Sequence, residues 1–151
     1  MNSLFGEQEI LQETPTELPI TQKNTKLLSK VTIKAMESAF VASNKQRKEK
    51  TIYPHNDNVF RPFKKDLDKY KVCIIGQDPY PNPNANGVAF SCDRDLSRSL
   101  EVIFKGLNYS KKEMIENQKL NHWLNQNVLL LNSSFTVEKD NPGSHSYIWI
   151  E

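Results

Sequence analysis

The sequence predicts an α/β fold, a parallel sheet flanked by helices. Three observations carry that expectation. Two short apolar runs, KVCII at 71–75 and QNVLLLN at 126–132, have the length and branched character of strands buried on both faces. Segments with helical spacing lie before and between them, which is the strand–helix–strand order of parallel sheets. Each run also ends abruptly in polar residues, Gln77 and Asp78 after Gly76, and Asn132. Ligands of open α/β sheets bind beyond the carboxyl ends of such strands.

Taken in order, residues 1–20 hold four glutamates, no Lys or Arg, and the helix-breaking Pro15 and Pro19. They read as a mobile acidic tail, leaving a domain at 21–151. Residues 25–43 read as one helix, with Leu28, Val31, Ala35, Met36 and Phe40 at steps of three and four and Asn24 or Thr25 as its cap. The run NKQRKEK at 44–50 reads as a solvated helix end. TIYP at 51–54 is a short extended segment stopped by proline. Val59, Phe60 and Phe63 suggest a short helix capped by Asp57. KVCII follows as a fully buried strand. Ser97 or Ser99 opens a helix with Leu100, Ile103, Phe104 and Leu107 on one face, and Leu120, Trp123 and Leu124 suggest another before the second strand.

The chain has 151 residues, enough for one domain with a core. With 20 basic and 18 acidic residues the net charge is +2, so only a local patch could meet nucleic acid. No apolar run approaches the roughly 20 residues of a membrane helix, and the N-terminus lacks the basic and apolar regions of a secretion signal. Cys73 and Cys92 are the only cysteines, too few for an iron–sulfur cluster or an all-cysteine zinc site. They read as reduced thiols of a cytoplasmic protein. His55, His122 and His145 are scattered, and no metal or cofactor is expected.

Two adjacent parallel strands would bring Asp78 and Asn132 to one rim, with Tyr80 and Phe90 close by. A flat ring can stack on the Phe, the Asn amide can donate and accept at a mixed edge, and the carboxylate can act as base or counter-charge. The residues describe a small planar-ligand site.

GQDPY at 76–80, GVAFS at 87–91, VLLLNSSFTV at 128–137 and GSH at 143–145, in this order, resemble family 1 uracil-DNA glycosylase, and TIYPHNDNVFRPF resembles the segment before that family's first strand. The likeness covers residues 25 to 151. It implies cleavage of the N-glycosidic bond of flipped-out deoxyuridine in DNA, releasing uracil and starting base-excision repair. By the same resemblance Asp78 is the catalytic carboxylate, Gln77 contacts a uracil carbonyl through its backbone amide, and Tyr80 packs against C5 and excludes thymine. Phe90 stacks on the base, Asn132 reads its edge, and Ser99 pins a DNA phosphate. Expected partners are uracil-containing DNA, single- or double-stranded, and a proteinaceous glycosylase inhibitor, with no membrane.

The chain departs from the family's pattern at several points. Pro81 stands where the family often has His, DLSRS lacks the family's prolines, and Trp149 and Ile150 replace Gly and Trp. The family continues with two more strands and an HPSP-type motif that supplies an anion-stabilising histidine and a DNA wedge. None of this lies in these 151 residues, and His145 reads as a hydrogen-bonded histidine at a turn. The expectation is therefore the N-terminal part of a glycosylase, completed by a missing segment or a second chain. The alternative is a catalytically impaired homologue that binds uracil or DNA, or that decoys an inhibitor.

Overall fold

The computed structural model describes residues 18–150, so most of the expected acidic tail lies outside the described residues. Leu18 and Ile20 pack against a core cluster of Met36, Phe40, Val59, Phe60 and Phe63.

The predicted first helix is two. Helix α1 spans Gln22–Leu27 and is capped by Thr21; α2 spans Lys30–Gln46 and is capped by Ser29. Each cap side chain accepts a backbone N–H in the first turn, satisfying a donor the helix itself cannot. Asn24 is no cap. It is buried, donating to the Phe63 and Lys65 carbonyls and accepting from the Leu67 amide. Met36, Ala39 and Phe40 form the buried face of α2, while Val31 is 80% exposed. The NKQRKEK run is not wholly solvated either, since the Arg47 guanidinium clamps the Ile52 and Pro54 carbonyls at 2.6 and 2.8 Å.

The expected helix around Val59 is a pair of 3-10 turns, Asn56–Asn58 and Arg61–Lys64. Asp57 caps neither by its side chain; it lies within the first turn and faces His55.

Strands β2, Val72–Gly76, and β3, Val128–Asn132, pair in parallel with Gly76 opposite Asn132. A second ribbon, unforeseen from the sequence, pairs β1, Ile52–Tyr53, antiparallel with β4, Val137–Glu138. Between β2 and β3 run α3, Arg98–Gly106, α4, Lys111–Asn117, and α5, Asn121–Asn125; α6, Ser146–Trp149, follows β4. Alternate residues of β3 face opposite sides. Leu130 joins a cluster of Val88, Ala89, Leu100, Phe104, Met114 and Leu120, and Leu131 packs on a second cluster of Met36, Phe40, Val59, Phe60 and Phe63.

The strand β2 is not buried. Val72 is 54% and Ile75 64% exposed, and Cys73 is exposed too. Among the described residues β2 pairs on one side only, with β3, while both clusters are built around β3 and the helices. Branched apolar residues predict a strand but not whether anything covers it.

Candidate active site

Beyond the carboxyl ends of β2 and β3 lies a cavity of about 230 Å³. Gln77, Asp78, Tyr80, Phe90, Ser99 and Asn132 all line it. Asp78 sits at the β2 rim, and its Oδ2 accepts the Gly143 amide at 2.5 Å. A charged acceptor makes this one of the stronger kinds of hydrogen bond. Gly143 has φ +76°, a left-handed conformation that glycine adopts freely. The GSH motif thus serves the site through its glycine. Its histidine is elsewhere: His145 is 1% exposed, with Nδ1 2.7 Å from Thr136 Oγ1 and Nε2 3.2 Å from Gln46 Oε1. Burial holds its pKa below the ordinary 6.5. Thr136 Oγ1 also accepts from Trp149 Nε1 at 2.8 Å, so this histidine helps fasten α6 to the body.

Asn132 ends β3. It is 6% exposed, and its Oδ1 is buried without a hydrogen-bond partner. An unmet buried acceptor costs roughly 1–3 kcal/mol, and native proteins hold few of them. Gly76, opposite, leaves the necessary room: a Cβ there would stand 2.5 Å from Asn132 Oδ1 and 3.4 Å from the Phe90 ring.

The loop from Pro81 to Asp95 forms the remaining wall, and buried asparagines hold it. Asn84 accepts the Arg94 and Asp95 amides and donates to the Asp95 carbonyl. Asn86 accepts the Val88 amide and donates to Ser91 Oγ and Asp93 Oδ1. Gly87, at φ +83°, lies so close to the Asn58 carbonyl that any side chain would collide with it. The loop begins with PNPNAN at 81–86. Its repeated Asn is the sequence signal for that wall, since Asn side chains imitate backbone in turns.

Tyr80 points its hydroxyl at the Phe90 carbonyl, 2.9 Å, and at Ser97 Oγ, and burial pushes its pKa up. Ser97, not Ser99, caps α3 by accepting the Leu100 amide. Ser99 stands exposed in the first helical turn at the mouth of the cavity, next to the exposed Arg98. Among the described residues no group of His, Cys, Asp and Glu could hold a metal ion.

A parallel-strand rim carrying a carboxylate, an unmet amide acceptor and two aromatic walls defines an α/β domain with a site for a small planar ligand. Comparison with known proteins narrows this. No family model matches the chain. Uracil-DNA glycosylase of Buchnera aphidicola is 41% identical over 110 residues, 69% of this chain and 50% of that protein. Uracil-DNA glycosylase of Francisella philomiragia is 45% identical over 105 residues, 66% of this chain and 48% of its own. The crystal structure of mimivirus uracil-DNA glycosylase superimposes with a TM-score of 0.69 at 26% identity, covering 87% of this chain and 52% of that one. A Y322L variant of the mimivirus protein, solved in complex with UGI, aligns equally well. The Nitratifractor salsuginis protein, at 18% identity and TM-score 0.56, shares the fold. The chain is therefore a homologue of the uracil-DNA glycosylases, and it spans about half the length of the curated relatives it matches.

Proposed function

We propose that this chain carries the base-recognition part of a uracil-DNA glycosylase, which hydrolyses the N-glycosidic bond of a flipped-out deoxyuridine and releases uracil for base-excision repair. The observation that carries this reading is Asn132, whose buried, unpartnered Oδ1 lines a cavity walled by Tyr80 and Phe90. A base edge with an N–H donor would satisfy that oxygen. Phe90 supplies a face for stacking. Tyr80 closes the wall where thymine carries a methyl group, and Gln77 offers its backbone amide to a carbonyl.

The chemistry suits the carboxylate. Cleavage of the bond passes through an oxocarbenium-like sugar, which an adjacent anion stabilises. The Gly143 amide holds Asp78 in one orientation for that task and for aligning the attacking water. The base must first leave the stack, as in other enzymes that act on bases. Ser99 and the N-terminal amides of α3 suit a phosphate of the displaced strand.

Uracil-containing DNA is thus the partner, and an inhibitor protein of the kind bound to the mimivirus variant is a second one. The exposed β2 accords with completion of the sheet by further polypeptide. Both cysteines are free thiols, in keeping with a cytoplasmic setting.

The test is incubation with uracil-containing single-stranded DNA followed by alkali, with Asp78→Asn as control. Strand cleavage that the variant loses is the expected result. Tight binding of that DNA without cleavage would overturn the enzymatic reading in favour of a binding protein.

A further inference from the structure

Phe90 forms the flat wall of the cavity in a backbone conformation that bulky L-residues rarely adopt, with φ +64°. Such a conformation persists only where its surroundings hold it. Here three side chains and one backbone amide do so. The Tyr80 hydroxyl donates to the Phe90 carbonyl at 2.9 Å, and Cys92 Sγ reaches the same carbonyl at 3.6 Å. The Ser97 amide donates to Cys92 Sγ at 3.4 Å, and the Ser97 hydroxyl meets the Tyr80 hydroxyl at 2.5 Å. The contacts close a ring through Phe90, Tyr80, Ser97 and Cys92.

The protons in the ring can be placed. Tyr80 has one hydroxyl proton and gives it to the Phe90 carbonyl. Ser97 must then donate to Tyr80, while a lone pair on its oxygen accepts the Leu100 amide at 3.2 Å. Capping α3 uses only the acceptor side of Ser97, so its proton is free for Tyr80. Burial favours the neutral tyrosine that this arrangement requires.

We propose that Ser97 is a positioning residue: acting through the Tyr80 hydroxyl, it fixes both the Tyr80 ring and the Phe90 plate, and ties them to the first turn of α3, where Ser99 stands. What these walls hold rests on the glycosylase reading, whereas the ring itself does not. Ring and phosphate contact share one turn of helix. A shift of α3 against a DNA strand therefore moves the base pocket, and a well-fitted base steadies α3.

The test is a double-mutant cycle of Ser97→Gly and Tyr80→Phe in the whole chain, with two readouts. Glycine is nearly as good a helix cap as serine, so Ser97→Gly removes the hydroxyl with little loss of capping. Should it not fold, Ser97→Asp serves, being a full-strength cap with no proton to give Tyr80. The first readout, amide hydrogen exchange at Ser91 and Cys92, needs no substrate. Each single change should speed exchange several-fold, and the double variant should match the faster single one; multiplying effects would overturn the ring. The second readout is the ratio of thymine to uracil released from DNA. Ser97→Gly should raise it several-fold, and Ser97→Thr, which restores a hydroxyl, should return it to the wild-type value; an unchanged ratio in an active Ser97→Gly protein would overturn the positioning role. Coupled exchange across the cycle, with a wild type that releases no uracil, would retain the ring and sink the glycosylase reading. Uracil release with uncoupled exchange would do the reverse.

Discussion

At the scale of single residues, the site depends on polar groups whose partners are either fixed or missing. Asn132 is the clearest case. Asn132→Asp replaces an amide by a carboxylate at a buried position, and under the proposed function discrimination between uracil and cytosine should fall by roughly tenfold to a hundredfold, the value of a buried polar group left unpaired. Competition assays on DNA strands carrying either base measure it, and intact discrimination would remove Asn132 from edge reading. His145 makes a prediction about pH. Its imidazole is buried and neutral, with Glu138, Arg47 and Lys50 as the charged groups facing it. Because its folded pKa lies below 6.5, the unfolded chain binds more protons as pH falls beneath that value. The stability His145 contributes is therefore complete above about pH 6.5 and declines in acid. Less buried, His122 shifts in the same direction. Thermal melts from pH 7.5 to 5 should lose less stability in His145→Gln than in the wild type; parallel curves would show that His145 does not titrate on unfolding.

At the scale of elements, local signals set some boundaries and distant contacts set others. Helix α4 begins with a complete capping box, in which Ser110 Oγ accepts the Glu113 amide and the Glu113 carboxylate accepts the Ser110 amide. The S-x-x-E signature stood in the sequence as SKKE, although α4 was not foreseen. Ser110→Ala should cost about 1 kcal/mol, readable by urea denaturation. The break between α1 and α2 likewise follows from Ser29 as a cap. Arg47 behaves differently. No pattern in NKQRKEK marks it, yet it joins the end of α2 to the β1 segment through two carbonyls, and burial lowers its pKa to about 10. Arg47→Ala should cost about 2–4 kcal/mol, since hydrogen bonds to charged groups are worth roughly 1.5–3 kcal/mol each and do not simply add. A loss under 0.5 kcal/mol would place Arg47 among the solvated lysines around it.

At the scale of the whole molecule, the two parallel strands differ in environment. Leu130 of β3 is wholly buried, and Leu130→Ala should cost about 2–5 kcal/mol. Ile75 of β2 is mostly exposed, and Ile75→Lys should cost little. An exposed, apolar strand edge is a template for pairing with other chains. The protein should therefore self-associate as concentration rises, and Ile75→Lys should suppress this in light scattering; equal association of both proteins would place the sticky surface elsewhere.

The sequence by itself determined the two parallel strands, their polar ends and five of the residues that line the cavity, Gln77, Asp78, Tyr80, Phe90 and Asn132, because strand pattern, turn residues and short motifs are local. Asp78 follows β2 and Asn132 ends β3, so pairing the strands brings them together. Only the tertiary structure decided that β2 lies exposed, that Gly143 meets Asp78, and that Ser97 rather than Ser99 caps α3 and meets Tyr80. These are contacts between residues 17 and 65 positions apart, or, at β2, a face that no described residue covers. A sequence pattern records what a residue prefers to touch, while the path of the whole chain decides what it meets.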